Sequence, residues 1–353
     1  MPFYTEFSAA AQAAYAGLDG AAQSAELRRS VADLPGGFVS KHIKGRTYWY
    51  YQRKSPEGRP QQFFVGPDDE ATRTLMQRHE DPQAQLSRLA LQRLAQSALA
   101  LGCTDIPVKH ARVIGRLLEH GFFKAGGLLV GTHAFLADQN MLGAQWGAGA
   151  FTLDLDFAHA GRSISLALAT DVQMDTASAI KSLQMGFVPV ASGTTYKKND
   201  EPDFDLDFLT TRTREADAPV FVPSLNLTLQ PLKFMELSLE DPIKATLLTR
   251  QGPLVVNLPR PQRYALHKLI VYGERLQTQR TKSTKDLAQA ACLLDYLLDH
   301  DTLALADSWN DVHSRGPGWR SRVQQGWQAL CERFPDIPFE DRLRSALAQA
   351  QEN

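Results

Sequence analysis

The feature that most limits what this chain can fold into is an acid–apolar alternation, Leu153-Asp154-Leu155-Asp156-Phe157, that follows an apolar run stopped by glycine. Leu128-Leu129-Val130 predicts a short buried strand, and Gly131-Thr132 ends it and opens a helix-like segment. A glycine-rich break at 143–149 then leads into a second strand. Side chains on a strand alternate between faces, so Asp154 and Asp156 share one, roughly 7 Å apart at a rise of ~3.4 Å per residue. Carboxylates held this way repel each other unless a cation lies between them. Hard oxygen ligands suit Mg²⁺, which takes one or two carboxylates together with substrate phosphates. A D-x-D alternation alone is also what a solvated strand face shows. Here the intervening residues are Leu and Phe, which need burial, and a second alternation, Phe204-Asp205-Leu206-Asp207-Phe208, repeats the pattern. Two such strands in one chain are hard to attribute to solvation.

Composition narrows the classes. A formal net charge of −1 gives no global basic field, so any nucleic-acid site must be a local patch. Cys103, Cys292 and Cys331 lie far apart without metal-site spacing, and read as small buried apolar groups in a reducing compartment. No apolar run approaches the ~18–20 residues that span a bilayer. The first residues carry an acid and no charged-then-apolar leader pattern, and a cytoplasmic protein is expected.

In chain order, four regions are expected. Residues 1–67 form an N-terminal helix (3–32) and a small antiparallel hairpin module. The module interleaves Lys41, Lys44, Arg46 and Arg53 with Tyr48 and other aromatics, a composition that can hold phosphates and stack bases. The plainer account is a structural cap with solvated cations. Residues 68–104 are connector helices, N-capped at Asp68 and broken near Asp81-Pro82. Residues 105–260 hold the sheet and its helices, including a helix from 175 to 185 stopped by Gly186. Residues 163–169 read as a strand or a helix start. The β-rich stretch 219–258 extends the sheet or forms a subdomain of its own. Residues 261–353 are helical, and a basic loop, 280–286, enters a helix capped by Ser283 or Thr284.

The strand, Gly131-Thr132-His133-Ala134-Phe135, Thr152-Leu153-Asp154-Leu155-Asp156-Phe157, the later Asp207-Phe208-Leu209, Lys268 and Lys285-Asp286 together resemble the polymerase-β-type nucleotidyltransferases, in a flavour similar to the AbiEii-type bacterial proteins. The resemblance covers about residues 105 to 300. It departs from the pattern at Thr132, where Gly or Ser is commoner, and in the long loop between Gly131 and Asp154.

The resemblance implies an α+β fold, a mixed sheet flanked by helices, and a Mg²⁺-dependent, pyrophosphate-releasing transfer of a nucleoside monophosphate from an NTP to an acceptor hydroxyl. Asp154, Asp156 and Asp207 would hold two Mg²⁺ ions, with Mn²⁺ as a substitute and Asp205 as the competing third ligand. Gly131, Thr132, Lys268 and Lys285 would bind the nucleotide. Asp286 would hold a lysine or the acceptor. His133, His159 and Arg162 stand at the periphery. The acceptor is expected to be RNA, such as a tRNA 3′ end, with Lys41, Lys44, Arg46, Tyr48 and Arg53 as its contacts. A protein hydroxyl is the competing acceptor, and an inert nucleic-acid-binding protein on the same fold is the non-enzymatic alternative. A toxin or defence role with an antitoxin partner is implied more loosely.

Overall fold

A computed structural model describes residues 3–27, 37–54, 60–80, 82–149, 154–160, 175–212, 218–275 and 280–352. The strand Glu201–Thr211 is the spine of a seven-stranded mixed sheet. It runs parallel to Leu155–Ala158 on one side and, further along, parallel to Leu227–Leu232 on the other. The hairpin of Phe187–Val190 and Thr195–Lys198 lies antiparallel along its first half. Leu128–Val130 closes one edge against Leu155–Ala158, and Val220–Val222 closes the other against Leu227–Leu232, both antiparallel.

The alternation read from the sequence orients this sheet. Leu155, Phe157, Leu206 and Phe208 are all buried on one face. Phe157 and Phe208 are register partners and stack with ring centroids 5.4 Å apart, with the edge of Phe122 set against both. Aromatic stacking of this kind adds to the large apolar area that each ring buries. Since successive side chains point to opposite faces, sinking these rings into the core sends Asp156 and Asp207 out on the other face.

Several boundaries differ from expectation. The N-terminus is a strand, Tyr4–Glu6, paired with Ala144–Trp146, and then a helix, Ala9–Leu27, rather than one helix from residue 3. Ser8 starts that helix, because its Oγ accepts from the Ala11 N–H at 3.2 Å. The break at Pro82 separates helices Glu70–Glu80 and Pro82–Ala100. Asp69, not Asp68, accepts from the Thr72 N–H, while Asp68 is drawn to Arg73 and to the indole of Trp49. The expected helix before Gly186 is Thr176–Ser182, capped by Asp175. Residues 163–169 lie outside the described residues.

The stretch 219–258 divides. Its first strands join the main sheet, whereas Ile243–Thr249 and Gly252–Leu258 form a separate two-stranded sheet, with a single parallel bridge from Leu248 to Asp105. Helices Ala9–Leu27 and Pro82–Ala100 pack on that hairpin through Tyr15, Leu18, Ala95, Ala98 and Leu248. Five helices then follow: Pro261–Glu274, Arg280–His300, Thr302–Ser314, Pro317–Arg333 and Phe339–Glu352. The basic loop expected at 280–286 is already helix from Arg280. Nothing in that segment breaks a helix, and neighbouring cations anchor Asp286 from the side, so Lys285 and Asp286 sit within the first two turns.

The N-terminal module is a three-stranded antiparallel sheet, Gly37–Ile43, Arg46–Lys54 and Pro60–Pro67, with a two-residue turn at Lys44-Gly45.

Candidate active site

The two acidic strands place Asp156 and Asp207 directly opposite each other in a parallel register. Burial pushes the Asp156 carboxyl up to about 6, and the negative charges of Asp207 and Asp154 push the same way, against Lys268 and Lys285. The carboxylate of Asp207 is steadied by the Thr195 hydroxyl, which donates to Oδ1 at 2.6 Å. Asp205, on the same strand, is instead committed to Lys197 at 2.7 Å. Asp207 is the residue of this pair that faces the cavity described next. Asp154 immediately precedes the strand Leu155–Ala158 and is half-buried.

A cavity of about 690 Å³ opens over the acids. That is within the range of small-ligand sites and large enough for a nucleotide. Its lining brings together Gly131, Asp156, Asp207, Lys268, Arg275 and Asp286, which come from two strands, the start of one helix and two further helices. Gly131 opens the helix Gly131–Leu142 with φ +63, in the left-handed region. A Cβ added there would stand 1.9 Å from Oδ2 of Asp156. Only glycine lets the helix start come this close to the carboxylate, leaving its amide end open to an anion. The Tyr264 hydroxyl donates to the Gly131 carbonyl and fixes the turn from the far side.

The cationic wall is an ion triad. Asp286 is buried between Lys268, at 3.0 Å, and Arg275, at 3.1 Å. Burial alone would lower the Lys268 ammonium, but Tyr264 and Asp286 beside it override that and hold it above its usual value. One carboxylate between two cations leaves a net positive charge facing the cavity. The Nη1 of Arg275 is buried with no hydrogen-bond partner among the described residues, a donor suited to a phosphate oxygen. The helix carrying Lys268 is held by close packing on Pro317–Arg333. A Cβ on Gly326 would meet the Leu269 carbonyl oxygen at 2.2 Å.

Other expected residues stand elsewhere. Thr132 is 2% exposed, does not line the cavity, and accepts from Gln289 Nε2 at 3.2 Å. Lys285 is half-buried outside the lining; burial lowers its ammonium and the positive charge of Lys268 adds to that, while Asp156 and Asp154 draw it the other way. His133 is a core residue, bonded to His110 at 2.8 Å and pushed down to about 3 chiefly by burial. His159 donates to the Ala125 carbonyl from a buried position. Arg162 and Thr152 lie outside the described residues. Lys41, Lys44, Arg46 and Tyr48 belong to the N-terminal sheet and are not among the residues lining the cavity; the Arg53 side chain lies outside the described ones.

Sequence reasoning missed Tyr264 and the part played by Arg275. Tyr264 lies on the helix of Lys268, four residues before it, and Arg275 caps the end of that helix, seven residues after it. The four-residue spacing puts Tyr264 and Lys268 on one flank and was a readable signal.

The donor set fits a hard divalent cation in a limited way. Among the described residues no three His, Cys, Asp or Glu side chains converge into a group able to hold a metal by themselves. The register-paired Asp156 and Asp207, with negative charge accumulated on a buried carboxylate, supply two oxygen donors. Mg²⁺ commonly completes its shell with water and substrate phosphate.

None of the curated proteins or solved structures compared matches the chain. A family model described as nucleotidyltransferase matches residues 108–314, which span the sheet, the cavity and the ion triad. That match covers more than half of the sequence, and the chain belongs to this nucleotidyltransferase family.

Proposed function

We propose that the protein transfers a nucleoside monophosphate from an NTP to an acceptor hydroxyl, releasing pyrophosphate, and that its sheet is a polymerase-β-type core in an AbiEii-like variant. The observation that carries this reading is the pairing of Asp156 with Asp207 in one cavity that the Lys268–Asp286–Arg275 triad also lines. Anionic and cationic groups in one cavity suit a substrate that is both a phosphate chain and a hydroxyl to be activated.

Asp156 and Asp207, with Asp154 beside them, would hold Mg²⁺. When bound, that ion lowers the pKa of an attacking hydroxyl and stabilises charge on phosphoryl oxygens. The chain's own groups do the rest. The helix start at Gly131 receives phosphate oxygens close to Asp156. Lys268 and Arg275 neutralise charge growing on the leaving group. Asp286 positions both cations. Asp207, held by Thr195, is placed to take the hydroxyl proton.

RNA is the acceptor in this reading, and the cell compartment is the cytoplasm. A toxin or defence role beside an antitoxin partner belongs to the same reading and rests on the sequence resemblance. The test incubates purified protein with Mg²⁺ and each labelled NTP, separately with total RNA and with total protein. The reading expects label on RNA, accompanied by pyrophosphate, and none with Asp154→Ala plus Asp156→Ala. Label on protein alone supports protein adenylylation instead. Label that survives the double substitution removes the assignment.

A further inference from the structure

The N-terminal sheet has two unlike faces. In an antiparallel pair, residues opposite each other share a face. The register sets Lys41 opposite Tyr48, Val39 opposite Tyr50 and Tyr50 opposite Phe64. These residues therefore form one surface, with Ile43 and Arg46 at its end. Phe64 is 61% exposed and Ile43 42% exposed there, whereas Tyr51, on the opposite face, is 2% exposed. The rings are contiguous: Phe64 lies 5.6 Å from Tyr50 and 6.1 Å from Tyr48, centroid to centroid. The ammonium of Lys41 sits 4.4 Å over the Tyr50 ring. Lys44 and Arg46 are exposed at the adjoining turn. The nearby acid, Asp68, is occupied by Arg73 and Trp49.

One exposed ring, Phe64, and two half-buried ones, Tyr48 and Tyr50, on a pleated sheet with cations at the margin do not resemble a cap, whose aromatic face would be covered. Unpaired bases stack on such rings whatever their identity, while the phosphates between them meet the lysines and arginine. We propose that this face, Tyr48, Tyr50 and Phe64 bordered by Lys41, Lys44 and Arg46, is a docking platform for single-stranded RNA. It holds the acceptor strand while one end reaches the Asp156–Asp207 site. The role as acceptor platform rests on the nucleotidyl-transfer reading; the binding itself does not.

The experiment measures fluorescence anisotropy of the full chain with a short labelled single-stranded RNA, without NTP or Mg²⁺. Duplex RNA of the same sequence serves as competitor, and variants are checked by thermal unfolding. Phe64→Ala, at an exposed position, keeps the fold, and Tyr48→Ala with Tyr50→Ala completes the series. Each ring removed is expected to weaken binding by about 5-fold or more. Lys41→Gln with Arg46→Gln is expected to flatten the salt dependence by roughly 0.7 per cation in the log–log slope. Duplex competes poorly if stacking is the mode. Wild-type affinity in Phe64→Ala and in the triple variant overturns the proposal. So does a chain that self-associates through these rings in sedimentation without binding RNA. The assay contains neither NTP nor Mg²⁺, so a failure of catalysis leaves the binding result readable.

Discussion

Asp156 and Asp207 are register partners on adjacent parallel strands, and their carboxylates leave the sheet side by side on the face opposite the stacked rings of Phe157 and Phe208. Core packing and site geometry are thus one constraint. A slip of one residue in either strand would bury an acid and expose a phenylalanine.

The first prediction concerns pH and Mg²⁺. Asp156 has a folded-state pKa raised to about 6 from 3.8, chiefly by burial. A carboxyl raised on folding contributes stability that is full below its unfolded value and is lost as pH rises through the folded one. The loss amounts to roughly 3 kcal/mol for a shift of this size. His133 and His267, pushed down to about 3 and about 4 chiefly by burial, act oppositely: their contribution is present above 6.5 and falls away as pH drops. Comparing wild type with Asp156→Asn cancels the histidines. In thermal melts with a chelator, Asp156→Asn is expected to gain on wild type between pH 5 and pH 7.5. Added Mg²⁺ is expected to stabilise wild type at pH 7.5, less at pH 5, and the variant at neither.

Gly131→Ala places a Cβ into the Asp156 carboxylate at a left-handed backbone position. The backbone strain alone is about 1–2 kcal/mol. The predicted result is a folded protein, by circular dichroism, with nucleotidyl transfer reduced by about 100-fold or more. Equal activity would mean that the helix start does not approach the substrate.

Lys268 and Asp286 separate charge from scaffolding. Asp286→Ala leaves Lys268 and Arg275 uncompensated and is expected to cost about 3–5 kcal/mol of stability in urea unfolding. Lys268→Met keeps the Asp286–Arg275 pair and is expected to cost less stability but more turnover, with kcat falling further than KM rises.

Much of this was legible before the fold was known. The strands at Leu128–Val130, Leu155–Ala158 and Glu201–Thr211 follow from apolar runs and alternation, because the period of two is fixed by the pleat. Asp156, Asp207, Lys268 and Asp286 were named from pattern and resemblance, and they line one cavity. What sequence did not reveal depends on long-range partners. Thr132 was expected at the phosphates, yet Gln289, 157 positions away, draws its hydroxyl inward. The strand Tyr4–Glu6 was read as helix because its partner, Ala144–Trp146, lies far along the chain. Lys285 and Asp286 were expected at a helix entrance, where local capping residues pointed. The helix begins earlier because nothing between Arg280 and Asp286 stops it.

Asp138, on the helix that Gly131 opens, supplies a test of buried charge. It is 1% exposed, neither of its carboxyl oxygens has a hydrogen-bond partner among the described residues, and burial raises its pKa well above the ordinary value. Its stability contribution is therefore lost as pH rises. Asp138→Leu is expected to stabilise the fold by about 1–3 kcal/mol in urea unfolding, with the larger gain at pH 8 than at pH 5. A loss of stability at both values would show that the carboxyl is needed where it stands.

The most direct measurement follows the phosphorus. Wild type, Asp156→Asn and Asp207→Asn are each incubated with Mg²⁺, RNA and an NTP labelled at either the α- or the γ-phosphate. The account predicts α-label retained on RNA and γ-label leaving as pyrophosphate with wild type, and neither transfer with either variant. Retained γ-label, or undiminished α-label with both variants, would contradict it.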